Sequence, residues 1–427
     1  MDATHNPNLK SWVESANDPA SDFAIQNLPY GIFKRKGRKE SPRGGVAIGD
    51  QILDLAAVGL KTGPTLNVLA AAGRKVWREL RKALSIGLAD PKQAKRLAKY
   101  LVPMKKAELF VPVSIGDYSD FFTGIHHATN MGRMFRPDNP LLPNYKWVPI
   151  GYHGRASSIV ISGTPVARPS GQTLPPDATS PVFGPSKRLD YEVELGFVIG
   201  PGNPLGKPIP IARALDHVFG VVLFNDWSAR DIQTWEYQPL GPFLAKSFAS
   251  TVSPWIVTLE ALEPFRCPAF PRLAADPKPL PYLLDPADQR EGGYAIGTSM
   301  YLRSAQMRAQ KMAPAQLSRC SFRDSYWTVA QMVAHQSSNG CNLQPGDLLG
   351  SGTISGTAPD MAGSMIELTQ GGKNPLTLPS GETRSFIADG DEVIQRGRCE
   401  REGAAAIGFG EASGLVNRGQ SPINFAK

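Results

Sequence analysis

The stretch Tyr191-Glu192-Val193-Glu194-Leu195-Gly196-Phe197-Val198-Ile199 sets two glutamates one residue apart in an otherwise apolar run, and it reads as a strand. Side chains alternate faces along a strand. Val193, Leu195 and Phe197 therefore turn toward a core, while Glu192 and Glu194 turn together to the other face. Neighbours on one face stand roughly 7 Å apart, so both carboxylates can reach one ion. Held that close in a partly buried site, they repel by roughly a few kcal/mol at an effective dielectric of about 20. A cation or a proton resolves that cost. The plainer alternative is a solvated face whose glutamates pair with lysines.

A chain of 427 residues exceeds the usual limit for one core, which makes two domains the expectation. With 42 Gly and 38 Pro, the composition suggests many turns and a β-rich architecture. The net charge of +8 is uneven: residues 1–110 hold 19 Lys+Arg against 10 Asp+Glu, and the remainder is close to neutral. The excess concentrates in Lys34-Arg35-Lys36-Gly37-Arg38-Lys39 and between Arg74 and Lys106. No zinc-finger spacing or RNA-binding aromatic motif accompanies it, so a solvated helix face and a charged loop are expected, with no nucleic-acid partner. Cys267, Cys320, Cys341 and Cys399 form no CxxC pair and fit the reduced thiols of a cytoplasmic protein. No run approaches the ~20 apolar residues of a membrane span, and the N-terminus has no apolar segment to serve as a signal peptide.

Residues 1–20 read as a loose polar tail. Short strands are expected at Phe23 to Leu28, Gly31 to Phe33, Val46 to Ile48 and Gln51 to Leu55, with a tight turn at Gly49-Asp50. Thr65 can cap a short helix, Arg74 to Leu84 has helical spacing, and Asp90 can cap another helix reaching Tyr100. From Asp117 polar, aromatic and glycine-rich clusters alternate with apolar strands, including Ile159–Ile161, Val218–Phe224, Trp255–Val257, Met365–Leu368 and Glu392–Ile394. Helices are expected from Pro210 to Asp216 and from Trp327 to Ser337. The division is a tail over 1–20, an N-terminal domain over 21–116 and a C-terminal domain over 117–427.

Four clusters could carry chemistry. Asp117 to His127 packs two Asp and two His into eleven residues, which suits a hard metal and a general base, with Arg133 and Arg136 nearby for an anion. Gly151-Tyr152-His153-Gly154 suggests backbone approaching a ligand. Asn225 to Phe248 follows an apolar strand, as a site on a scaffold rim does. In it Arg230, Gln233 and Tyr237 recur at helical spacing, and Lys246 lies in an apolar context. Gly350 to Gly356 places small hydroxylic residues between glycines, suiting an anion cradle but not a nucleotide P-loop. Each cluster also has a bland reading as a turn or solvated loop. Together they point to metal-assisted chemistry on a small anionic molecule.

The clusters, taken in order, resemble the fumarylacetoacetate hydrolase family over about nine-tenths of the chain. The stretches are DYSDF at 117, HATNMGRMFR at 127–136, GYHGRASSIVISGTP at 151–165, LDYEVELGF at 189–197, NDWSARDIQTWEYQPLGPFLAKSF at 225–248, NGCNLQPGDLL at 339–349 and SGTISGTAP at 351–359. The resemblance implies a β-rich α+β fold: a small N-terminal SH3-like β domain, then a mixed β-roll catalytic domain. It implies a homodimer that hydrolyses the carbon–carbon bond of 4-fumarylacetoacetate, a small anionic diketo acid, to fumarate and acetoacetate, the last step of tyrosine and phenylalanine degradation. A calcium or magnesium ion is implied on Asp120, Glu192, Glu194 and Asp226. His127 is implied as general base, Glu367 as its orienting partner, and Arg230, Gln233 and Lys246 as stabilisers of negative charge. Arg136, Tyr152, Gln233, Tyr237 and Thr353 are implied as substrate contacts. Two positions depart from the family pattern. Phe122 stands where animal members carry a substrate-contacting tyrosine, and Ser250 stands where they carry a threonine near a second magnesium site that also involves Lys246.

The implied chemistry is physically coherent. Cleaving a bond beside a ketone needs a base for water and an acceptor for the departing enolate. A histidine near neutral pKa suits the first task, and cationic and amide donors suit the second. Two rivals are an enzyme of the same superfamily acting on 2-oxo acids, whose chains lack the GYHGRASS stretch and the N-terminal domain, and a nucleic-acid binder using the basic first quarter.

Overall fold

A computed structural model describes residues 1–419. Two sheet systems meet around the strands Val193–Ile199 and Val218–Asp226, which pair antiparallel with Val193 opposite Asn225 and Leu195 opposite Leu223. The central sheet runs in the order Gly151–His153, Tyr118–Phe121, Leu348–Gly350, Val193–Ile199, Val218–Asp226, Ser250–Val252, Ile159–Ile161. It is mixed: Tyr118–Phe121 lies parallel to Leu348–Gly350, and Ser250–Val252 parallel to Ile159–Ile161. A second sheet runs in the order Ala315–Ser321, Gly297–Arg303, Glu392–Cys399, Ile407–Asn417, Val166–Ala167.

The central pair is apolar because both of its faces are covered. On one face Leu195, Phe197, Ile199, Val221 and Leu223 pack against Phe409, Ala412 and the helix Val329–Ser337. That helix starts where the sequence puts it: Thr328 accepts from the Gln331 amide while Gln331 reaches back, a capping box. On the other face Val198, Phe219 and Val222 meet the N-terminal domain. Trp77 and Tyr30 place their rings 5.1 and 5.8 Å from that of Phe219.

The N-terminal domain is a five-stranded antiparallel sheet, Leu101–Pro103, Gln51–Asp54, Arg43–Ile48, Tyr30–Arg35, Ala107–Phe110, backed by the helix Gly73–Ala89. The Gly49-Asp50 turn joins Ile48 and Gln51, which face each other across the hairpin, and Gly49 takes the positive φ of 57° that such turns require. Asp90 accepts from the Lys92 amide and caps Pro91–Leu97, which continues as a 3₁₀ turn to Tyr100. Tyr30 and Ile256 exchange backbone hydrogen bonds of 3.0 and 2.8 Å, stitching this sheet to the C-terminal domain.

Several expectations are corrected. Phe23 to Leu28 forms turns rather than a strand; Asn27 uses its amide to bind the carbonyls of Asp22 and Gly408. Thr65 caps nothing: the helix Asn67–Ala71 has Leu66 at its N-cap, without a side-chain cap. The helix expected from Pro210 to Asp216 is the 3₁₀ helix Ile211–His217. Residues 1–20 are no loose tail. Ser11 and Trp12 donate to the carbonyls of Leu88 and Gly87, and Arg81 donates to Thr4. Charge counting along a segment does not reveal such side-chain-to-carbonyl docking.

The stitch between the domains has no slack. A Cβ at Gly31 would stand 2.7 Å from the Pro254 carbonyl oxygen and 2.7 Å from the Trp255 ring. Gly31→Ala is therefore expected to cost about 1–3 kcal/mol through backbone displacement. Thermal melts read the cost as a lowered melting temperature; a variant melting with the parent contradicts this account of the interface.

Candidate active site

Strand adjacency assembles the carboxylates. Asp120 lies on Tyr118–Phe121, Glu194 on Val193–Ile199, and Asp226 ends Val218–Asp226. All three are buried, and one oxygen from each lies within 4.8 Å of the others. Gly350 makes room on the intervening strand, since a Cβ there would meet Glu194 Oε2 at 3.1 Å and the Tyr118 ring at 3.0 Å. Asp120 Oδ1 and Glu194 Oε1 are buried with no hydrogen-bond partner among the described residues. Burial, reinforced by the Asp226 charge, pushes the Asp120 carboxyl up to about 8. Burial likewise raises Glu194, with Asp120 and Asp226 adding to it. Orphaned acceptors on an all-oxygen donor set are what a hard cation satisfies, so this triad could hold a metal ion.

Glu192 behaves differently from its neighbour. It faces the same chamber but accepts from Arg230 Nη1 at 2.7 Å and Lys246 Nζ at 2.5 Å. Burial would raise its carboxyl, yet Lys246 and Arg230 outweigh burial and hold it well below the usual range. Lys246 also donates to Asp226 Oδ2 at 2.7 Å, and Ser250 donates to Asp226 Oδ1 at 2.7 Å. Burial depresses the Lys246 ammonium, but Asp226 and Glu192 overcome it and keep the charge firmly in place. The two glutamates thus share a face, as their spacing predicts, but divide the work: Glu194 joins the open triad and Glu192 neutralises cations.

His127 sits in the helix Ile125–Phe135, and its Nδ1 lies 2.7 Å from Glu367 Oε2. Burial opposes ionisation of Glu367, but His127 outweighs it and the carboxyl lies below its ordinary value. An ionised carboxylate only accepts, so Nδ1 carries the proton and Nε2 is the nitrogen able to take another. Glu367 is held further by Ser364 Oγ at 2.6 Å, Asn130 Nδ2 at 2.9 Å and Ser355 Oγ at 3.0 Å. Met365–Leu368 is a helical turn rather than the expected strand. Its first two amides donate to Asp190, 175 and 176 residues away in sequence, which four mostly apolar residues cannot announce.

One cavity of about 440 Å³ joins these groups. Asp120, Glu192, Glu194, Arg230, Gln233, Lys246 and His127 line its polar end, and Phe122, Met131, Leu141, Tyr145 and Ile150 its apolar end. Tyr152, directly across the strands from Asp120, and the buried Thr353 lie on its wall, with exposed Arg136 and Tyr237 also lining it. The helix Arg230–Glu236 confirms the helical spacing, and Arg230 Nη1 donates to Gln233 Oε1 at 3.1 Å. Phe122 meets the His127 ring edge-on at 5.7 Å. The structure does not bring in His126, which meets the Phe270 ring edge-on, or Arg133, which is exposed. In the Gly350–Gly356 segment the Gly352 amide donates to Glu194 Oε2 at 3.1 Å, while Ser351 accepts from the Leu195 amide and Ser355 binds Glu367. Sequence reading missed Asn130, Ser355 and Ser364. Asn130 left a signal, three residues from His127 on one helix, and Ser355 lay within the glycine-flanked hydroxylic cluster.

Residues 119–411 match the family model described as fumarylacetoacetate (FAA) hydrolase C-terminal, and residues 26–112 match fumarylacetoacetase N-terminal. The chain is 48% identical to a fumarylacetoacetase from Arabidopsis thaliana, covering 96% of this chain and 98% of the relative. It is 48% identical to one from Homo sapiens, covering 95% of this chain and 98% of the relative. Among solved structures, a fumarylacetoacetate hydrolase from Exiguobacterium antarcticum superposes with a TM-score of 0.50 at 17% identity, over 92% of this chain and 99% of that one, a likeness of fold alone. With both family models matched in order and near-half identity over nearly the full length, the chain belongs to the fumarylacetoacetate hydrolase family.

Proposed function

We propose that this protein hydrolyses 4-fumarylacetoacetate to fumarate and acetoacetate, closing tyrosine and phenylalanine breakdown. The observation that carries the reading is the near-half identity to fumarylacetoacetases over almost the whole chain. The paired His127–Glu367 beside the cation-lined end of the cavity is what the reaction needs.

In this reading His127 Nε2 takes a proton from a water that adds to the fumaroyl ketone. Glu367 fixes the tautomer and stabilises the imidazolium that forms. The bond between that carbon and the adjacent methylene then breaks. Its electron pair passes to the methylene as the enolate of acetoacetate, which the imidazolium proton reaches in turn. Arg230, Gln233 and Lys246 face the developing oxyanions, and one such donor is typically worth about 10²–10³ in rate. Arg136, Tyr152, Tyr237 and Thr353 orient the diketo acid, with Phe122 contributing apolar packing where a hydroxyl is missing. Asp120, Glu194 and Asp226, with Glu192 behind them, would hold a calcium or magnesium ion, which supplies Lewis-acid polarisation of the substrate oxygens. Ser250 and Lys246 already bind Asp226, so a second ion there would have to displace those bonds. The same reading takes the protein as a cytoplasmic homodimer with an SH3-like domain over residues 21–116 and a catalytic domain from residue 117.

Two outcomes test the reading. His127→Ala should lose at least about 100-fold in kcat on fumarylacetoacetate while the fold, read by circular dichroism, persists; near-parental turnover sinks the assignment. The ion is tested by stability as well as rate. A carboxyl raised in the folded state favours folding below its unfolded value and loses that contribution as pH rises through its folded value. Asp120 moves from 3.8 to about 8, so in excess chelator the melting temperature should fall between about pH 4 and pH 8. Millimolar Ca²⁺ or Mg²⁺ should restore it at pH 8. Identical curves with and without the ion refute the metal site.

A further inference from the structure

Asp190 is the carboxylate of the site region that the reaction scheme does not use. It is fully buried on the two-residue strand Leu189–Asp190, opposite Ser228. Every hydrogen bond it makes is directed at a part of the machinery or its frame. Oδ2 accepts from Arg230 Nε at 2.9 Å and from the Ile366 amide at 3.1 Å. Oδ1 accepts from the Met365 amide at 2.7 Å and from the Tyr191 amide at 2.8 Å. Four donors saturate the carboxylate, so it has no oxygen left for an ion or a substrate.

The two structures it joins carry different parts of the chemistry. Arg230 is the guanidinium that also holds Glu192 and Gln233. Met365 and Ile366 open the helical turn whose third residue is Glu367, the partner of His127. That turn is four residues long, too short to hold itself, and Asp190 supplies the acceptor for its first amides. One side chain therefore sets the separation between the proton acceptor and the oxyanion donors. We propose that Asp190 is a positioning residue, a rigid strut that registers Glu367–His127 against Arg230–Gln233. The proposal rests on the hydrolase reading above. A displacement of about 1 Å at such a site can cost about 100-fold in rate. One extra carbon in the side chain is a displacement of about 1.5 Å.

The test uses the full-length protein with saturating Ca²⁺ and follows loss of the diketone absorbance of fumarylacetoacetate. Asp190→Asn removes the charge at constant size, and Asp190→Glu keeps the charge but lengthens the arm. Both are expected to lose about 100-fold in kcat with KM within about threefold of the parent. The decisive readout is a double-mutant cycle. In a Glu367→Gln background, Asp190→Asn should cost less than about threefold, because the positioned group is already disabled. A folded variant with kcat within threefold of the parent overturns the proposal. So does a full 100-fold loss repeated in the Glu367→Gln background, which marks a separate effect, and so does failure of both variants to fold, which marks a structural brace. An inactive parent sinks the hydrolase reading itself, whereas an active parent with unaffected variants sinks only the strut.

Discussion

The structure is organised around an imbalance of buried charge. Asp120, Asp190, Glu192, Glu194 and Asp226 share one region in which Arg230 and Lys246 are the two cations paired with them among the described residues. Isolated buried carboxylates are too costly to keep, so each must be paired, protonated or given an ion. The cations settle the matter for Glu192 and offset part of the cost for Asp190 and Asp226, where burial still raises the carboxyl. What remains is a three-carboxylate corner whose charge is unmet. A divalent ion is the partner of the right sign and size, and it would remove the need for protons there.

Phe122 gives this electrostatic chamber its dry wall. Its ring meets both His127 and Tyr145 edge-on, at 5.7 Å each, and with Leu141 and Ile150 it closes the apolar end of the cavity. Interactions at the polar end are then felt through a medium of low dielectric, where fixed donors act more strongly than in water. The phenylalanine offers no hydroxyl to the cavity, only an apolar ring.

Much of the site was legible in local patterns. The period of two placed Glu192 and Glu194 on one face, the helical spacing joined Arg230 to Gln233, and the apolar surroundings of Lys246 foretold its burial. The failures share a cause. Met365–Leu368 is a short, mostly apolar run like a buried strand but coils because Asp190 receives its amides. Glu192 parts from Glu194 because Arg230 and Lys246 reach one and not the other. The first twenty residues dock because Leu88 and Gly87 offer carbonyls that no polar count can show. Each depends on a partner distant in sequence, whose position only the completed fold supplies.

The order of the central sheet has a consequence for how the molecule comes into being. Glu194 and Asp226 lie on neighbouring antiparallel strands that a short excursion of chain can join. Asp120 reaches them only across Leu348–Gly350, which pairs in parallel with Tyr118–Phe121 some 230 residues later in the sequence. Parallel pairing at that separation must close a very large loop before any contact rewards it, which makes it a late event. During synthesis the ribosome releases Gly350 long after Asp120. The third carboxylate therefore joins the other two only when most of the chain has emerged, and a cation that binds all three acts on a nearly finished molecule, as a clasp rather than as a nucleus.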